Sequence, residues 1–532
     1  MAELSQAIDV DETAIGLPCR IHQITAKHVA ENPDRIALIE AGASWTYRDL
    51  DRRVSETATV LSLLGVRAGD RVILVSENCI ALAALLLAAS RLDAWAIVAN
   101  PRLSERELDQ IRDHSGARLM LFTTGVSKEA AAHATRCGAK KQRLGALRDI
   151  GIGPLNEDAT AEPVEADPVE QVAVLIYTSG TTGAPKGVML THESLLISAK
   201  ATAHFRQMDR NDKIYLVLPI SHIVGISLLI MTLMVGGTVR MASKFDPAAT
   251  AKAIKEEGIT ILNGVPATYQ RLLEYKGVSG LKRLDRGSLR LMTVSGAPLD
   301  LSLKVRVERE FGLPLLNGYG MTECSPGISG VRFDTPRFDQ AVGRLLPGVE
   351  GRIRTLDGIP LSKGELGELH VRGRNVMRGY YRAPELTSRV IDSEGWFNTG
   401  DLARFDGDCL YIMGRTKEMI IRSGFNVYPA EVETVLSSHK DVVQCAVVGR
   451  VIDGNEDVVG FVQLRPGSRA KPADLMGFIR FQLTPYKRPS EIIVLDSLPA
   501  TSSGKILKHV LAESLGGAAA SGAGRPASQP AT

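Results

Sequence analysis

The chain predicts an α/β fold built in layers: a large body carrying a β subdomain, followed by a small α+β unit. Three observations carry that expectation. Short apolar runs alternate with helical patterns through the first three hundred residues. Near residue 340 the texture changes to short strands with Gly-rich turns, and beyond about residue 417 α+β patterning returns. At 532 residues the chain is also too long for a single core, so two or more domains are expected.

The strands of the body are Ile36-Ala37-Leu38-Ile39, Arg71-Val72-Ile73-Leu74-Val75 and Leu119-Met120-Leu121-Phe122. The pattern continues with Val172 to Ile176, Ile214 to Leu218, Thr260 to Asn263 and Leu291 to Val294. Apolar runs of this length bounded by turn residues read as buried strands. Gly351 to Arg354 and Gly367 to Gly373 suggest a small barrel-like β subdomain over about 340–414. A boundary is expected at Gly414-Arg415-Thr416-Lys417-Glu418, dividing residues 1–416 from 417–515. In the second part Ala430 to Ser438 reads as a helix and Cys445 to Val448 as a strand. Residues 516–532 are Gly/Ala/Ser/Pro-rich without apolar periodicity, the composition of a disordered tail.

A net charge of +3 is small for this length and points to no nucleic-acid partner. The six cysteines are scattered without a C-x-x-C pair, which suggests neither a disulfide framework nor a zinc site and fits a reducing cytoplasm. Met1 to Gly16 carries acids and no basic-then-apolar leader pattern. Ile80 to Ala89 and Ile223 to Val235 are apolar but fall short of the ~20 residues a bilayer span needs. Each reads as a buried helix or a pocket wall.

The chemistry starts at Tyr177-Thr178-Ser179-Gly180-Thr181-Thr182-Gly183-Ala184-Pro185-Lys186-Gly187, directly after an apolar strand. A loop of this kind can turn backbone N–H groups inward as an anion nest, with hydroxyls and Lys186 adding donors and charge. It is not a Walker A loop, because Lys186 is followed by Gly187 rather than Ser or Thr. Asn317-Gly318-Tyr319-Gly320-Met321-Thr322-Glu323 offers close backbone approach, an aromatic face for a purine, a hydroxyl for phosphate and a hard oxygen ligand suited to Mg²⁺. Asp401, in Asn398-Thr399-Gly400-Asp401-Leu402, could accept two ribose hydroxyls with support from Arg415. Ser502-Ser503-Gly504-Lys505 places a lysine on a Gly-hinged turn. Taken singly, each has a plainer reading as a surface turn, a charge cluster or a loop lysine.

Together and in this order the motifs resemble those of AMP-forming acyl-CoA synthetases of the adenylate-forming superfamily, which also holds luciferases and nonribosomal adenylation domains. The resemblance spans residues 172 to 508. It implies a large N-terminal domain hinged at Lys417 to a small mobile C-terminal domain. It further implies that Thr178, Ser179, Gly180, Thr181, Thr182, Gly183 and Lys186 hold the phosphates of ATP. Gly296, Ala297, Asn317, Gly318 and Tyr319 lie along the base, and Asp401 with Arg415 holds the ribose. Thr322, Glu323 as the Mg²⁺ ligand, and Lys505 carry the catalysis. His222, in Leu218-Pro219-Ile220-Ser221-His222, gates the acyl pocket from the thiol tunnel, and Ser423, Gly424 and Phe425 line the path of CoA. The implied reaction joins a carboxylic acid to AMP with release of pyrophosphate, then passes the acyl group to CoA.

The acyl pocket is expected to draw on Ile223, Val224, Gly225, Leu229, Gly320, Met321 and Cys324. No Arg or Lys stands in these windows, which argues against dicarboxylic or amino-acid substrates. Small residues at Gly225, Gly296 and Gly327 would leave room for a long or flat apolar acid. Medium-to-long fatty, alicyclic and aromatic acids stay open, with the lean toward fatty or alicyclic ones. Pro499 to Lys505 also fits a pattern associated in related synthetases with acetylation, so a protein lysine acetyltransferase acting at Lys505 is an expected partner, as is a second copy in a homodimer. The alternatives are a freestanding enzyme that loads a carrier protein, a luciferase-like monooxygenase, and a non-catalytic nucleotide-binding regulator.

Overall fold

The computed structural model describes residues 16–179, 185–423, 425–452, 455–500 and 506–517. Gly180, Thr181, Thr182, Gly183, Gly424 and the Ser502 to Lys505 turn therefore lie outside the described residues.

Two large sheets face each other across a shared core. The eight-stranded sheet centres on Arg71–Val75, paired in parallel with Trp95–Ala99 on one side and Leu119–Thr123 on the other. All three strands are buried along their whole length, as parallel strands covered on both faces must be. The nine-stranded sheet runs in parallel through Thr238–Met241, Lys213–Leu216, Ile261–Gly264, Leu291–Val294 and Leu315–Gly320. Helices Ile80–Arg91, His192–Phe205 and Ile223–Met234 share one apolar cluster with the inner faces of both sheets. A helix apolar all round belongs in such a place, and among the described residues no helix is long and apolar enough to cross a membrane.

The Gly-rich region folds as an antiparallel four-stranded sheet, Glu350–Arg354, Gly367–Arg372, Phe397–Asp406 and Cys409–Arg415. Its order runs from the first to the last of these without closing, where the sequence suggested a barrel-like form. Strand patterning fixes alternation, whereas closure depends on tilt and stagger that it does not encode. After Arg415 the strands pair only among themselves: Ile420–Arg422 with Phe425–Val427, and Val442–Ile452 with Asn455–Leu464 and Glu491–Val494. Pro429–Ser437 and Pro472–Ile479 close a separate core around Val432, Leu436, Val447, Val458 and Ile492. The molecule is thus a large α/β domain followed by a small α+β one. Its last helix, Lys508–Gly517, runs two residues into the segment read as tail.

A buried histidine and a half-buried one tie the N-terminal segment to this core. His192 has no exposed surface, and its Nδ1 accepts the Ile21 amide at 3.2 Å. Burial lowers its pKa well below the imidazole norm. His22 sits beside the Ser90 hydroxyl at 3.0 Å and is pushed down to about 4 by burial and then by Arg91. Between the folded and unfolded pKa values the unfolded chain binds protons that the native chain refuses. Stability is therefore held above pH ~6.5 and falls as the pH drops toward 4. After allowance for solvent screening, His22 alone accounts for about 1–2 kcal/mol. Thermal melting at pH 7.5, 6.0 and 4.5 is expected to show that decline, and His22→Asn is expected to make it shallower.

Candidate active site

The strand Leu315–Gly320 and the short turn Thr322–Cys324 behind it form the spine of the site. The strand pairs with Leu291–Val294 on one side and Gly327–Gly330 on the other. Gly320 has no alternative there, because a Cβ would stand 2.0 Å from the Pro326 carbonyl oxygen. Tyr319 donates its hydroxyl to Asp401 Oδ2. Burial first, and then the Asp401 charge, hold that hydroxyl far above the usual phenol pKa, so it stays a donor.

Asp401 is 4% exposed and stands opposite Arg415 in the antiparallel ladder, with Arg415 Nε 3.2 Å from Oδ1. The turn before it is fixed from within. Asn398 Oδ1 accepts the Gly400 amide at 2.8 Å, and Thr399 Oγ1 accepts the Asp401 amide at 3.1 Å. Asp401 thus presents a pre-set carboxylate, its two oxygens turned to the Tyr319 hydroxyl and the Arg415 guanidinium. Asn317, expected along the base, uses its side-chain amide on the Gln340 and Ala341 carbonyls at 3.2 and 3.3 Å. Its contribution is to hold that segment against the strand. Gly296 follows Leu291–Val294 with φ +84°, and open space lies over it apart from Val265 Cγ1 at 3.6 Å.

Glu323 projects from the turn, and its Oε1 accepts the Tyr380 hydroxyl at 3.0 Å. Among the described residues no three His, Cys, Asp or Glu side chains gather into a metal cage. That fits Mg²⁺, which favours one or two carboxylates with substrate phosphates and water over an all-protein site. A hard carboxylate such as that of Glu323 is the kind of donor such an ion needs. On the other side of Tyr380 stands Lys186, its Nζ 5.5 Å from the ring centroid.

The residues on both flanks of 180–184, read from sequence as part of a loop, lie in two paired strands. The first strand continues through Ser179 and pairs back on Pro185–Thr191. Thr178 and Lys186 therefore stand opposite each other in the ladder. Hydroxyl residues are at home in strands as well as turns, so composition could not tell these apart.

His222 caps Ile223–Met234, and the loop before it is held by a residue that no motif marked. Asn78 Nδ2 donates to the Leu216 and Leu218 carbonyls at 3.3 and 2.9 Å, and its Oδ1 accepts the Ile220 amide at 2.8 Å. His222 itself is exposed at the head of that helix. Desolvation lowers its pKa, so it is neutral at pH 7. In the small domain Ser423 adopts φ +51° and its amide donates to Asn455 Oδ1 at 2.6 Å. Phe425 is exposed and stacks on Tyr486 at 4.8 Å, while Lys487 pairs with Glu431 at 2.6 Å. The Tyr486–Arg488 stretch also takes the Arg422 guanidinium, whose Nη1 donates to the Tyr486 and Arg488 carbonyls at 3.4 and 2.7 Å. Lys417 is exposed in the turn Thr416–Glu418, which follows directly on Cys409–Arg415.

Comparison with known proteins settles the family. The model of the AMP-binding enzymes matches residues 25–381, and that of the AMP-binding enzyme C-terminal domain matches 431–505. The chain belongs to the AMP-binding enzymes. Feruloyl-CoA synthase of Amycolatopsis sp. is 35% identical over 90% of this chain and 95% of its own length. 2-Succinylbenzoate–CoA ligase of Geobacillus kaustophilus is 32% identical over 90% and 95%. Among solved structures, ATP-bound MatB from Rhodopseudomonas palustris superposes with TM-score 0.81 at 30% identity, covering 94% of this chain and 99% of its own. O-Succinylbenzoate coenzyme A synthetase from Bacillus subtilis, in complex with ATP and magnesium ion, gives 0.78 at 29% over 92% and 98%. This AMP-binding enzyme is an acid–thiol ligase, with ATP and CoA as substrates and Mg²⁺ as its metal.

The residues expected to line the acyl pocket are packed more tightly than the sequence implied. Leu229 and Cys324 are fully buried in the core and Ile223 nearly so, while Val224 and Met321 are partly buried against it. A Cβ on Gly225 would lie 2.2 Å from the Pro219 carbonyl oxygen, and one on Gly327 2.5 Å from Leu346 Cδ1. Both glycines permit close packing of protein on protein rather than opening space for a ligand. Of the three glycines read as room for substrate, only Gly296 keeps open space.

Proposed function

We propose that this AMP-binding enzyme activates a flat, compact aromatic acid of the hydroxycinnamate kind as its acyl-AMP and then transfers the acyl group to CoA. The observation that carries the nucleotide half is the Tyr319–Asp401–Arg415 group, whose Tyr319 stands on the same strand-and-turn as Glu323. Asp401 takes the ribose hydroxyls with Arg415, and Tyr319 keeps the carboxylate aimed. Gly296 and Ala297 lie along the adenine. Thr178, Gly180, Thr181, Thr182, Gly183 and Lys186 hold the phosphates, and Thr322 adds a hydroxyl. Mg²⁺ at Glu323 offsets phosphate charge when bound. Lys505 bridges the attacking carboxylate and the α-phosphate, so that the step rests on positioning and charge stabilisation. The small domain then turns about Lys417, withdrawing Lys505 and bringing Ser423, Gly424 and Phe425 to the pantetheine path past His222. This reading divides the chain at 416/417, places the enzyme in the cytoplasm, and keeps acetylation of Lys505 and pairing of two copies as proposals from the sequence pattern.

The acyl class is argued from the wall. With Gly225 and Gly327 filled by neighbours, the space favours a short flat acid over the fatty acids toward which the sequence leaned. Asn263, 1% exposed, donates to Thr293 Oγ1 at 2.5 Å, and its buried Oδ1 has no partner among the described residues. It sits near a strand end, one residue before Gly264, whose carbonyl accepts the Ser295 amide at 3.2 Å. An unpaired buried acceptor suits a phenolic hydroxyl, and such a contact discriminates strongly against analogues that lack the donor. The relative named feruloyl-CoA synthase points the same way. The test is CoA-dependent AMP release with p-coumarate, ferulate, cinnamate, octanoate and palmitate. kcat/KM for p-coumarate is expected to exceed that for cinnamate by about tenfold or more and that for palmitate by a wider margin. Palmitate as the better substrate would refute the aromatic reading and leave adenylation standing.

A further inference from the structure

Tyr380 touches both charged groups of the phosphate end of the site, and no step above uses it. It belongs to a two-residue edge strand, Gly379–Tyr380, laid antiparallel on Pro185–Thr191 with Tyr380 opposite Val188. The register is fixed on both flanks, by Arg378 N to the Met189 carbonyl at 3.0 Å and Tyr381 N to the Gly187 carbonyl at 2.8 Å. The same segment is tied to the catalytic turn, because Met377 N donates to the Glu323 carbonyl at 2.8 Å. The Tyr380 amide donates to Thr387 Oγ1 at 2.9 Å, and the residue is only 8% exposed, so the ring is held on all sides.

From that fixed position the hydroxyl holds Glu323 Oε1 at 3.0 Å, and the ring face meets the Lys186 ammonium at 5.5 Å. A carboxylate on a flexible stem and an ammonium on a longer one are thus both referred to one rigid aromatic group. We infer that Tyr380 is a positioning residue that sets the Glu323 carboxylate for the metal and holds Lys186 in line with it. The inference rests on the reading of Glu323 as the Mg²⁺ ligand. A hydrogen-bond partner behind a metal ligand fixes the ligand's orientation, and losing one costs about 10–100-fold in metal affinity. The cation–ring contact is separable from it, since phenylalanine preserves a face for Lys186 while removing the hydroxyl.

The experiment compares wild type, Tyr380→Phe, Tyr380→Leu and Glu323→Gln. Mn²⁺ binding to each protein with a non-hydrolysable ATP analogue is read by electron paramagnetic resonance. Analogue affinity at saturating metal is read by fluorescence, with thermal melting alongside. Tyr380→Phe keeps the buried ring, and Glu323 is partly solvent-accessible so that water can replace the lost hydroxyl; its melting should be unchanged. Its Mn²⁺ dissociation constant is expected to rise about tenfold or more, with analogue affinity at saturating Mn²⁺ unaltered within about twofold. Tyr380→Leu is expected to lose both. Mn²⁺ binding by Tyr380→Phe equal to wild type, with Glu323→Gln impaired, would overturn the positioning role alone. Mn²⁺ binding unaffected in Glu323→Gln would instead remove the metal reading beneath it.

Discussion

The Lys505→Gln enzyme is expected to form acyl-AMP about 10²–10³-fold more slowly than wild type, while still converting supplied acyl-AMP and CoA to thioester. Such a loss corresponds to about 2.7–4 kcal/mol of transition-state stabilisation, the range for removing one preorganised donor from developing charge. Glutamine keeps length and polarity and removes the charge, as acetylation would. Each half-reaction is followed separately, by pyrophosphate release and by thioester absorbance. Equal impairment of both halves would mean that Lys505 does not act in adenylation specifically. Undiminished adenylation would remove the catalytic role and the acetylation switch together.

Asp401→Ala is the second large effect. The substitution strips the buried Tyr319 hydroxyl of its acceptor and leaves Arg415 without its carboxylate. Breaking a buried charged group out of its network costs several kcal/mol, part of it in stability and part in nucleotide binding. KM for ATP is expected to rise about 100-fold, a loss near 2.7 kcal/mol. Asp401→Asn keeps an acceptor for Tyr319 while losing the charge, and should fall between the two. Steady-state kinetics at varied ATP, with melting as control, separates binding from folding. A KM within threefold of wild type in a folded Asp401→Ala protein would refute the ribose assignment.

Much of this site was readable because its residues are local and chemically distinctive. Arg71–Val75 and Leu291–Val294 are apolar runs bounded by turn residues, and both fold with the limits their sequence suggests. Asp401 and Arg415 were paired on chemistry, and the antiparallel register places them opposite one another. What stayed hidden depends on partners distant in the chain. Tyr380 meets Glu323 across 57 residues and Asn78 meets Ile220 across 142, so neither an isolated tyrosine nor an isolated asparagine gave a signal. Glycines misled for a related reason. Sequence cannot say whether a missing side chain leaves space or admits a neighbour, and at Gly225 and Gly327 the neighbour is protein. Thr178 was read as loop because its hydroxyl and the glycines after it look alike in a turn and at a strand end.

The central claim is that the acid attacks ATP before CoA takes part. Exchange of labelled pyrophosphate into ATP, measured with p-coumarate and Mg²⁺ in the absence of CoA, tests it most directly. The account predicts exchange that requires the acid and the metal, and that yields to CoA thioester once CoA is added. Thioester formation with CoA but no acid-dependent exchange without it would contradict the two-step reaction.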